Sequence, residues 1–314
     1  MKQRLSLLLL IVLAFSMLGG TDRSHQDRAQ NMGLGEAALL GVVEGLSEYL
    51  PISSTGHLIL TQRALSIPTE TADQKNAADA FAICIQAGAI LAVLGLYWRR
   101  SVQMARGLIG RDEAGRRLAI NLLIAFVPAA VVGLSAGDWI KLHLFGLWPI
   151  VAAWAAGGIL ILVLEAKRQA PETEPAEEAG TGLEQMSARM AVLIGLLQCT
   201  AMWPGVSRSL ITILAGLWVG LRLIAAVEFS FLLGVLTLGA ATAYDTYQHG
   251  PLLLDLYGLG PLVVGTAAAL VSAGAAVRWM VGYLQQHSLR LFGYYRIALA
   301  ATVAALILLG VLSD

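Results

Sequence analysis

The stretch that decides the fold is GVVEGLSEYLPISSTGHLIL, residues 41–60. It is apolar enough to enter a membrane, yet it carries two glutamates and a histidine and is interrupted by Pro51. Proline breaks a helix because it lacks an N–H and clashes with the preceding turn. A second stretch, GLLQCTAMWPGVSRSLITILAGL at residues 195–217, follows the same plan around Pro204. The pattern predicts two broken helical hairpins rather than simple spanning helices.

The composition around these hairpins is that of an integral membrane protein. Of the 314 residues, 57% are hydrophobic and only 13% are charged, about half the charged share of a soluble domain. The 21 basic residues are balanced by 21 acidic ones, so no basic excess is available to neutralise a nucleic-acid backbone. The mean hydropathy is +0.70. Nucleic-acid binding and a disordered chain are therefore excluded, and no nucleic acid is expected as a partner.

Six further apolar stretches are long enough to cross a bilayer, which needs about 20 residues of helix. The sequence therefore predicts an all-α polytopic membrane protein with six transmembrane helices in addition to the two hairpins. The predicted spans are residues 80–98, 118–137, 144–164, 223–244, 256–277 and 291–312.

Basic residues predict the orientation of these spans. They concentrate between residues 99 and 117, at Lys167 and Arg168, and around the connection before the last span, where Arg278, Arg290 and Arg296 stand. The positive-inside rule places these three regions in the cytoplasm. The connections near 138–143 and 245–255 are then predicted to be external loops.

With this orientation, the first hairpin must enter and leave from outside and the second from the cytoplasm, so both are re-entrant. A hairpin followed by three spans thus occurs twice with opposite polarity, which predicts an inverted-topology repeat with its site near the bilayer midplane. The predicted organisation is a signal-like or anchor segment (1–31), a first repeat (32–165, hairpin 33–62), a cytoplasmic linker (166–189) and a second repeat (190–314, hairpin 190–221).

The first hairpin carries the groups that acid–base and metal chemistry need. Glu44 and Glu48 are four residues apart, so both carboxylates face the same side of a helix. Hard oxygen ligands of this kind favour Mg²⁺ or Ca²⁺ over transition metals. These carboxylates are therefore the predicted ligands of a divalent cation.

Hydroxyls and an imidazole follow the break. Ser53, Ser54 and Thr55 are suited to cap a restarting helix, whose free backbone N–H groups form an anion site. His57 stands three residues after Ser54, and we expect it to act on that serine as a base. Whether Ser54 itself or an activated water attacks is left open by the residues.

The second hairpin supplies the complementary charge. Arg208, between Ser207 and Ser209, presents a planar fork of donors that suits phosphate oxygens. If the hairpins approach each other, this arginine lies opposite the carboxylates. Such equipment suits phosphoryl transfer or hydrolysis, in which catalysis is mostly charge neutralisation and positioning.

Both hairpins resemble the signature motifs of the undecaprenyl-diphosphatase (bacitracin-resistance) family of bacterial membrane enzymes. The matching segments are EGLSEYLPISSTGH (44–57), PGVSRS (204–209) followed by Thr212, FAICIQAGAILAV (81–93) and EFSFLLG (228–234). The resemblance implies hydrolysis of undecaprenyl diphosphate to the monophosphate and inorganic phosphate, which recycles the lipid carrier of cell-wall synthesis. It also implies a divalent cation and a site that faces outward from the bacterial inner membrane.

The resemblance also implies residue roles. Glu44 and Glu48 would bind the metal and diphosphate, Ser54 would be the nucleophile or its equivalent, His57 the acid or base, and Arg208 a catalytic phosphate clamp. The expected substrate-binding residues are Ser53, Thr55, Ser207, Ser209 and Thr212.

Three other functions remain open at this point. Inverted repeats and broken helices are also transporter architecture, so a secondary transporter or flippase of a phosphorylated lipid or anion is the main alternative. A phosphatase with a covalent histidine nucleophile lacks its third motif here, and an intramembrane protease leaves both glutamates and Arg208 unexplained. The expected partners are the polyprenyl diphosphate substrate and membrane lipids, with a homodimer left open.

Overall fold

The computed structural model describes residues 32–69, 71–168 and 180–312. The predicted segment 1–31 and residues 169–179 of the predicted linker lie outside these described residues. Within them the regular structure is helical and no β-strand forms, apart from one isolated bridge between Thr181 and Leu221. The prediction of an all-α protein is confirmed for this part of the chain.

The described residues form eleven α-helices. In chain order they are α1 (Leu34–Ser47), α2 (Ser54–Ala64), α3 (Ala72–Leu96), α4 (Trp98–Leu108), α5 (Glu113–Leu144), α6 (Leu147–Arg168), α7 (Ala188–Gln198), α8 (Arg208–Trp218), α9 (Leu223–Leu256), α10 (Leu259–Leu284) and α11 (Arg290–Leu308).

Six of these helices are long and apolar enough to cross a membrane, as predicted: α3, α5, α6, α9, α10 and α11. The prediction that residues 138–143 and 245–255 form loops is wrong, because both segments are helical and belong to α5 and α9. Their predicted external position stays a prediction. In both helices the backbone hydrogen bonds continue beyond the last residues of the predicted apolar span. The 34 residues of α9 extend over about 50 Å, well beyond a hydrocarbon core of about 30 Å, so its polar segment YDTYQH at residues 244–249 can lie outside that core.

The two predicted broken segments are pairs of short helices, α1 with α2 and α7 with α8. Each helix has only 11 to 14 residues, or about 16–21 Å, so none spans a bilayer alone. Both second helices begin after a serine with the same uncommon backbone geometry. Ser53 has φ 72° and ψ 108°, and Ser207 has φ 77° and ψ 113°. Positive φ is rare for residues other than glycine, so the two breaks share a specific conformation.

The short helices pack reciprocally. Helix α1 lies against α10, where Gly41 and Gly45 allow contact so close that a Cβ atom would collide with Gly265 and Ser272. Helix α7 lies against α5, where a Cβ atom on Gly195 would collide with the backbone of Ala125. Each broken helix therefore packs on the second long helix of the other half of the chain.

The first break and the start of α8 enter one apolar core. Tyr49 and Ile52 from the first break share a buried cluster with Leu210 of α8 and Phe231 of α9. The Tyr49 and Phe231 rings meet edge to face with centroids 5.2 Å apart. This core holds the ends of α1, α2 and α8 close together.

Candidate active site

The break between α1 and α2 is held by side chains. Four successive backbone carbonyls accept hydrogen bonds from side chains of four different helices. Leu50 O accepts from Ser209 Oγ (2.9 Å), Pro51 O from Arg296 Nη1 (3.3 Å), Ile52 O from Trp154 Nε1 (3.1 Å) and Ser53 O from His57 Nδ1 (2.6 Å). Irregular backbone at membrane depth is tolerated only where protein or water satisfies it. These four hydrogen bonds therefore fix the backbone conformation of the break.

Glu48 joins the two breaks. This carboxylate at the end of α1 is only 7% exposed. Its Oε2 accepts a 2.5 Å hydrogen bond from Ser54 Oγ, at the start of α2. Its Oε1 accepts from Arg208 Nη2 at 3.3 Å, at the start of α8. One carboxylate therefore brings together a hydroxyl from the first break and a guanidinium from the second.

Arg208 is held from three further sides. Its Nη1 donates to Ser230 O at 2.9 Å, and its guanidinium carbon lies 5.4 Å from the centre of the Tyr49 ring. A Cβ atom on Gly234 would collide with the guanidinium, so the glycine at the end of EFSFLLG provides space for it. Its Nε is buried and has no hydrogen-bond partner among the described residues.

Glu44 lies one helical turn before Glu48 and is fully buried, with 0% exposure. Neither of its carboxylate oxygens has a hydrogen-bond partner in the described part of the chain. The Gln86 side chain lies beside Glu44, and its amide approaches Glu48 Oε2 at 3.5 Å. A buried carboxylate without a donor is costly, so Glu44 is a natural ligand for a cation.

These carboxylates fit a divalent cation that takes other ligands from its surroundings. Within the described residues no group of three or more His, Cys, Asp or Glu side chains could hold a metal by itself. Mg²⁺ is commonly bound through one or two carboxylates together with water and substrate phosphates. The pair Glu44 and Glu48, with the Ser54 hydroxyl adjacent, matches that kind of site.

His57 is engaged differently from the sequence expectation. Its Nδ1 donates to Ser53 O, so its Nε2 is the acceptor and receives a 2.7 Å hydrogen bond from Tyr295 Oη. Ser54 Oγ instead donates to Glu48. Helical side chains lean toward the N-terminus, which carries the Ser54 hydroxyl back across the break and the His57 ring back onto Ser53. In this arrangement the base next to Ser54 is Glu48.

The predicted substrate-binding hydroxyls lie around the same two helix starts. Ser207 Oγ accepts from Leu210 N at 3.3 Å and lies 3.0 Å from Ser209 Oγ, which itself binds the first break. Thr212 is fully buried, with its Oγ1 2.8 Å from Arg208 O and 2.6 Å from Ser230 Oγ. Ser53 is buried and makes no capping bond, and Thr55 is partly buried. The structure thus brings all of these residues to one region, and Ser209 and Thr212 brace it.

Two neighbours of the site were missed by the sequence analysis. Tyr295 was treated as part of an apolar span, and Arg296 as a cytoplasmic flanking charge. The assignment of Arg296 is wrong, since its side chain is 0% exposed and reaches Pro51. The signal was available, because an arginine inside the predicted span 291–312 is as costly as the glutamates of the first hairpin.

The chain is similar to a known protein family over most of its length. The family model described as Bacitracin resistance protein BacA matches residues 37–302. An undecaprenyl-diphosphatase of Sorangium cellulosum is 44% identical over 270 residues, which cover 85% of this chain and 84% of the relative. One of Methylococcus capsulatus is 43% identical over 269 residues (85% and 92%), and "Undecaprenyl-diphosphatase 2" of Rhodospirillum rubrum is 44% identical over 271 residues (86% and 93%).

Proposed function

The chain belongs to the bacitracin resistance protein BacA family, and on that premise we propose that it hydrolyses undecaprenyl diphosphate to undecaprenyl phosphate and inorganic phosphate. The observation that carries the proposal is Glu48, which binds Ser54 of one break and Arg208 of the other. Relatives that are 43–44% identical over about 270 aligned residues are named for this activity. The enzyme thereby recycles the lipid carrier of peptidoglycan synthesis and confers bacitracin resistance.

The groups that bind the substrate are cationic or N–H donors. The Arg208 guanidinium clamps the diphosphate oxygens, and the first N–H groups of α2 and α8 add two helix N-termini that favour anions. Glu44 and Glu48 would hold a divalent cation, Mg²⁺ or Ca²⁺. When bound, the cation neutralises charge on the phosphate oxygens.

In the proposed reaction Ser54 Oγ attacks the terminal phosphorus while its proton passes to Glu48 Oε2. The bond from this phosphorus to the bridging oxygen breaks, and undecaprenyl phosphate leaves with the electron pair. Water then attacks the phosphorus of the phosphoserine, and the bond between phosphorus and Ser54 Oγ breaks. Ser54 Oγ recovers the proton from Glu48, and dihydrogen phosphate leaves with both protons of the water. Direct attack by water is the alternative, and it forms no phosphoserine.

His57 has a supporting part in this scheme. Its Nδ1 holds the carbonyl of Ser53, directly before the nucleophile. The ring also lies edge-on to Trp154, with centroids 5.5 Å apart. We assign His57 the task of fixing the start of α2, with its ring anchored through Nδ1 to Ser53 O and through Nε2 to Tyr295 Oη.

The topology that we propose is an inverted repeat with two re-entrant hairpins. Gly41, Glu44 and Ser53 stand at the same mutual spacing as Gly195, Gln198 and Ser207. The common geometry of the two serines and the reciprocal packing of α1 and α7 support the same relation. The first hairpin then opens to the outside of the bacterial inner membrane, which places the site toward the periplasm or cell exterior. A homodimer stays a prediction, which cross-linking in the membrane would test.

The test of the function is phosphate release from undecaprenyl diphosphate by purified protein in detergent, with Mg²⁺ or Ca²⁺ and then with EDTA. We expect cation-dependent release that falls at least about a hundredfold in Ser54→Ala, Glu48→Gln and Arg208→Ala, as for other groups that position or stabilise a reacting phosphate. The exposed Arg278 on α10 provides a control, Arg278→Gln, with unchanged rate.

Absence of release from folded wild type that binds the substrate would contradict the proposal. It would leave the transporter as the alternative, because a transporter binds its substrate without hydrolysing it. The names of the relatives do not favour a transporter. A ³²P label that stays on wild-type protein after acid quench, but not on Ser54→Ala, would distinguish the phosphoserine route from direct attack by water.

A further inference from the structure

Arg296 of α11 is the most deeply buried cation among the described residues that the proposed reaction does not use. It is 0% exposed. Its Nη1 donates to Pro51 O at 3.3 Å, and its Nη2 donates to Gly205 O at 2.9 Å and to Ala153 O at 2.8 Å. One guanidinium therefore binds a carbonyl of the first break, a carbonyl of the second break and a carbonyl of α6.

The surroundings of this side chain are built to accept it. A Cβ atom on Gly157 of α6 would collide with the guanidinium, so this glycine leaves the space through which the arginine passes. Within the described part of the chain Arg296 has no acidic partner at ion-pair distance. Its Nε is also without a hydrogen-bond partner there. A buried charge without a counter-ion is expensive, and a cation held only by carbonyls indicates that those carbonyls need it.

The two carbonyls occupy equivalent places in the two breaks. Pro51 stands three residues before Ser54, and Gly205 stands three residues before Arg208. Both carbonyls lie in the irregular backbone between two short helices. The guanidinium donates to both of them at once and thereby fixes the distance between the two breaks.

We propose that Arg296 is a positioning residue that holds the two breaks in register, so that Ser54 and Arg208 both reach Glu48. It does not contact these three side chains; it acts through the backbone that carries them. The proposal rests on the function proposed above, since the register matters only if the three groups work together.

The experiment compares Arg296→Gln and Arg296→Lys with wild type and with the control Arg278→Gln. Purified full-length proteins are assayed for kcat and KM with undecaprenyl diphosphate, and for thermal unfolding. Hydrogen–deuterium exchange is measured over residues 52–56 and 205–210. We expect Arg296→Gln to lower kcat about a hundredfold, the cost of a misplacement of about 1 Å, with KM within about threefold of wild type.

The exchange measurement gives a readout that needs no activity. Arg296→Gln should speed exchange in both segments together, because one side chain holds both. Arg296→Lys keeps the charge and can bind some of the carbonyls, so it should recover part of kcat and part of the protection. If wild type released no phosphate, the proposed function would be contradicted. The exchange rates of the Arg296 variants and wild type would still decide whether Arg296 joins the two breaks.

Three results would overturn the proposal: unchanged kcat in Arg296→Gln, a lower melting temperature as the sole effect, or faster exchange in one break alone.

A second variant tests the proposal if Arg296→Gln does not fold. Gly157→Ala displaces the guanidinium without removing its charge. Its control is Gly274→Ala on α10, where an added Cβ meets nothing within 4 Å. We expect kcat of Gly157→Ala to fall at least about tenfold, and equal kcat in the two glycine variants would contradict the proposal.

Discussion

At the scale of single residues, the site depends on carboxylate oxygens that have different partners. Glu48 uses one oxygen for Ser54 and the other for Arg208, whereas both oxygens of Glu44 lack a donor among the described residues. Glu48 thus joins two protein groups, whereas Glu44 joins none, and the divalent cation that we propose would bind to both carboxylates. This difference follows from position, since Glu48 lies at the end of α1 and Glu44 lies inside it.

Tyr295 permits a matched test of His57. Tyr295→Phe removes the O–H that donates to His57 Nε2, a hydrogen bond of net value about 1 kcal/mol. We expect kcat to fall about three- to tenfold, because the ring keeps its bond to Ser53 O but loses its second anchor. The neighbouring Tyr294 is 59% exposed, so Tyr294→Phe is the control in the same phosphate-release assay. Equal rates for the two variants would contradict the role given to His57.

A substitution at Gly234 tests whether the position of the Arg208 guanidinium matters. Gly234→Ala places a methyl group against the guanidinium, which must shift away from Glu48. We expect kcat/KM to fall at least about tenfold, because the guanidinium that we propose as the phosphate clamp is misplaced. Gly239→Ala lies on the same helix, where an added Cβ meets nothing within 4 Å, and it should match wild type. Full activity of Gly234→Ala would show that Arg208 is not confined as described.

At the scale of elements, the positions of the two helix breaks were predictable from the sequence, but the side-chain contacts that hold them were predictable only in part. Pro51 and Pro204 mark both breaks in the sequence, and the hydropathy of the six long stretches marks the spans. The ends of α5 and α9 were missed because hydrogen bonding along a helix is insensitive to where the apolar residues stop. The His57 partner was missed because sequence spacing gives no side-chain direction across a break. Arg296 was missed because the positive-inside rule counts charges by neighbourhood and ignores burial.

The contact between α1 and α10 is an element-scale prediction. Gly41→Ala forces a Cβ into the backbone of α10, which costs about 1–3 kcal/mol of unfolding free energy, as overpacking does. Gly35→Ala on the same helix meets nothing within 4 Å and should be neutral or stabilising by up to about 1 kcal/mol. Thermal unfolding in detergent compares the two variants, and equal melting temperatures would contradict the close contact.

At the scale of the whole molecule, the orientation is open to a labelling experiment. Tyr247 lies near the end of α9 and is 84% exposed, and Arg111 lies exposed in the turn between α4 and α5. In a variant whose Cys84 and Cys199 are replaced by alanine, we expect a membrane-impermeant maleimide to label Tyr247→Cys in intact cells. Arg111→Cys should be labelled only after the membrane is opened. The reverse pattern would invert the proposed topology and move the site to the cytoplasmic side.

The reciprocal packing of α1 on α10 and of α7 on α5 has a consequence for biogenesis. When the first half leaves the ribosome, the glycine face of α1 has no partner, because α10 has yet to be made. Arg296, which binds both breaks, is synthesised later still. The nascent chain therefore holds the residues of the proposed site in the membrane before they can meet, and the site is complete only when the last helix inserts. Halves produced as separate polypeptides must find each other in the bilayer before either can contribute to turnover.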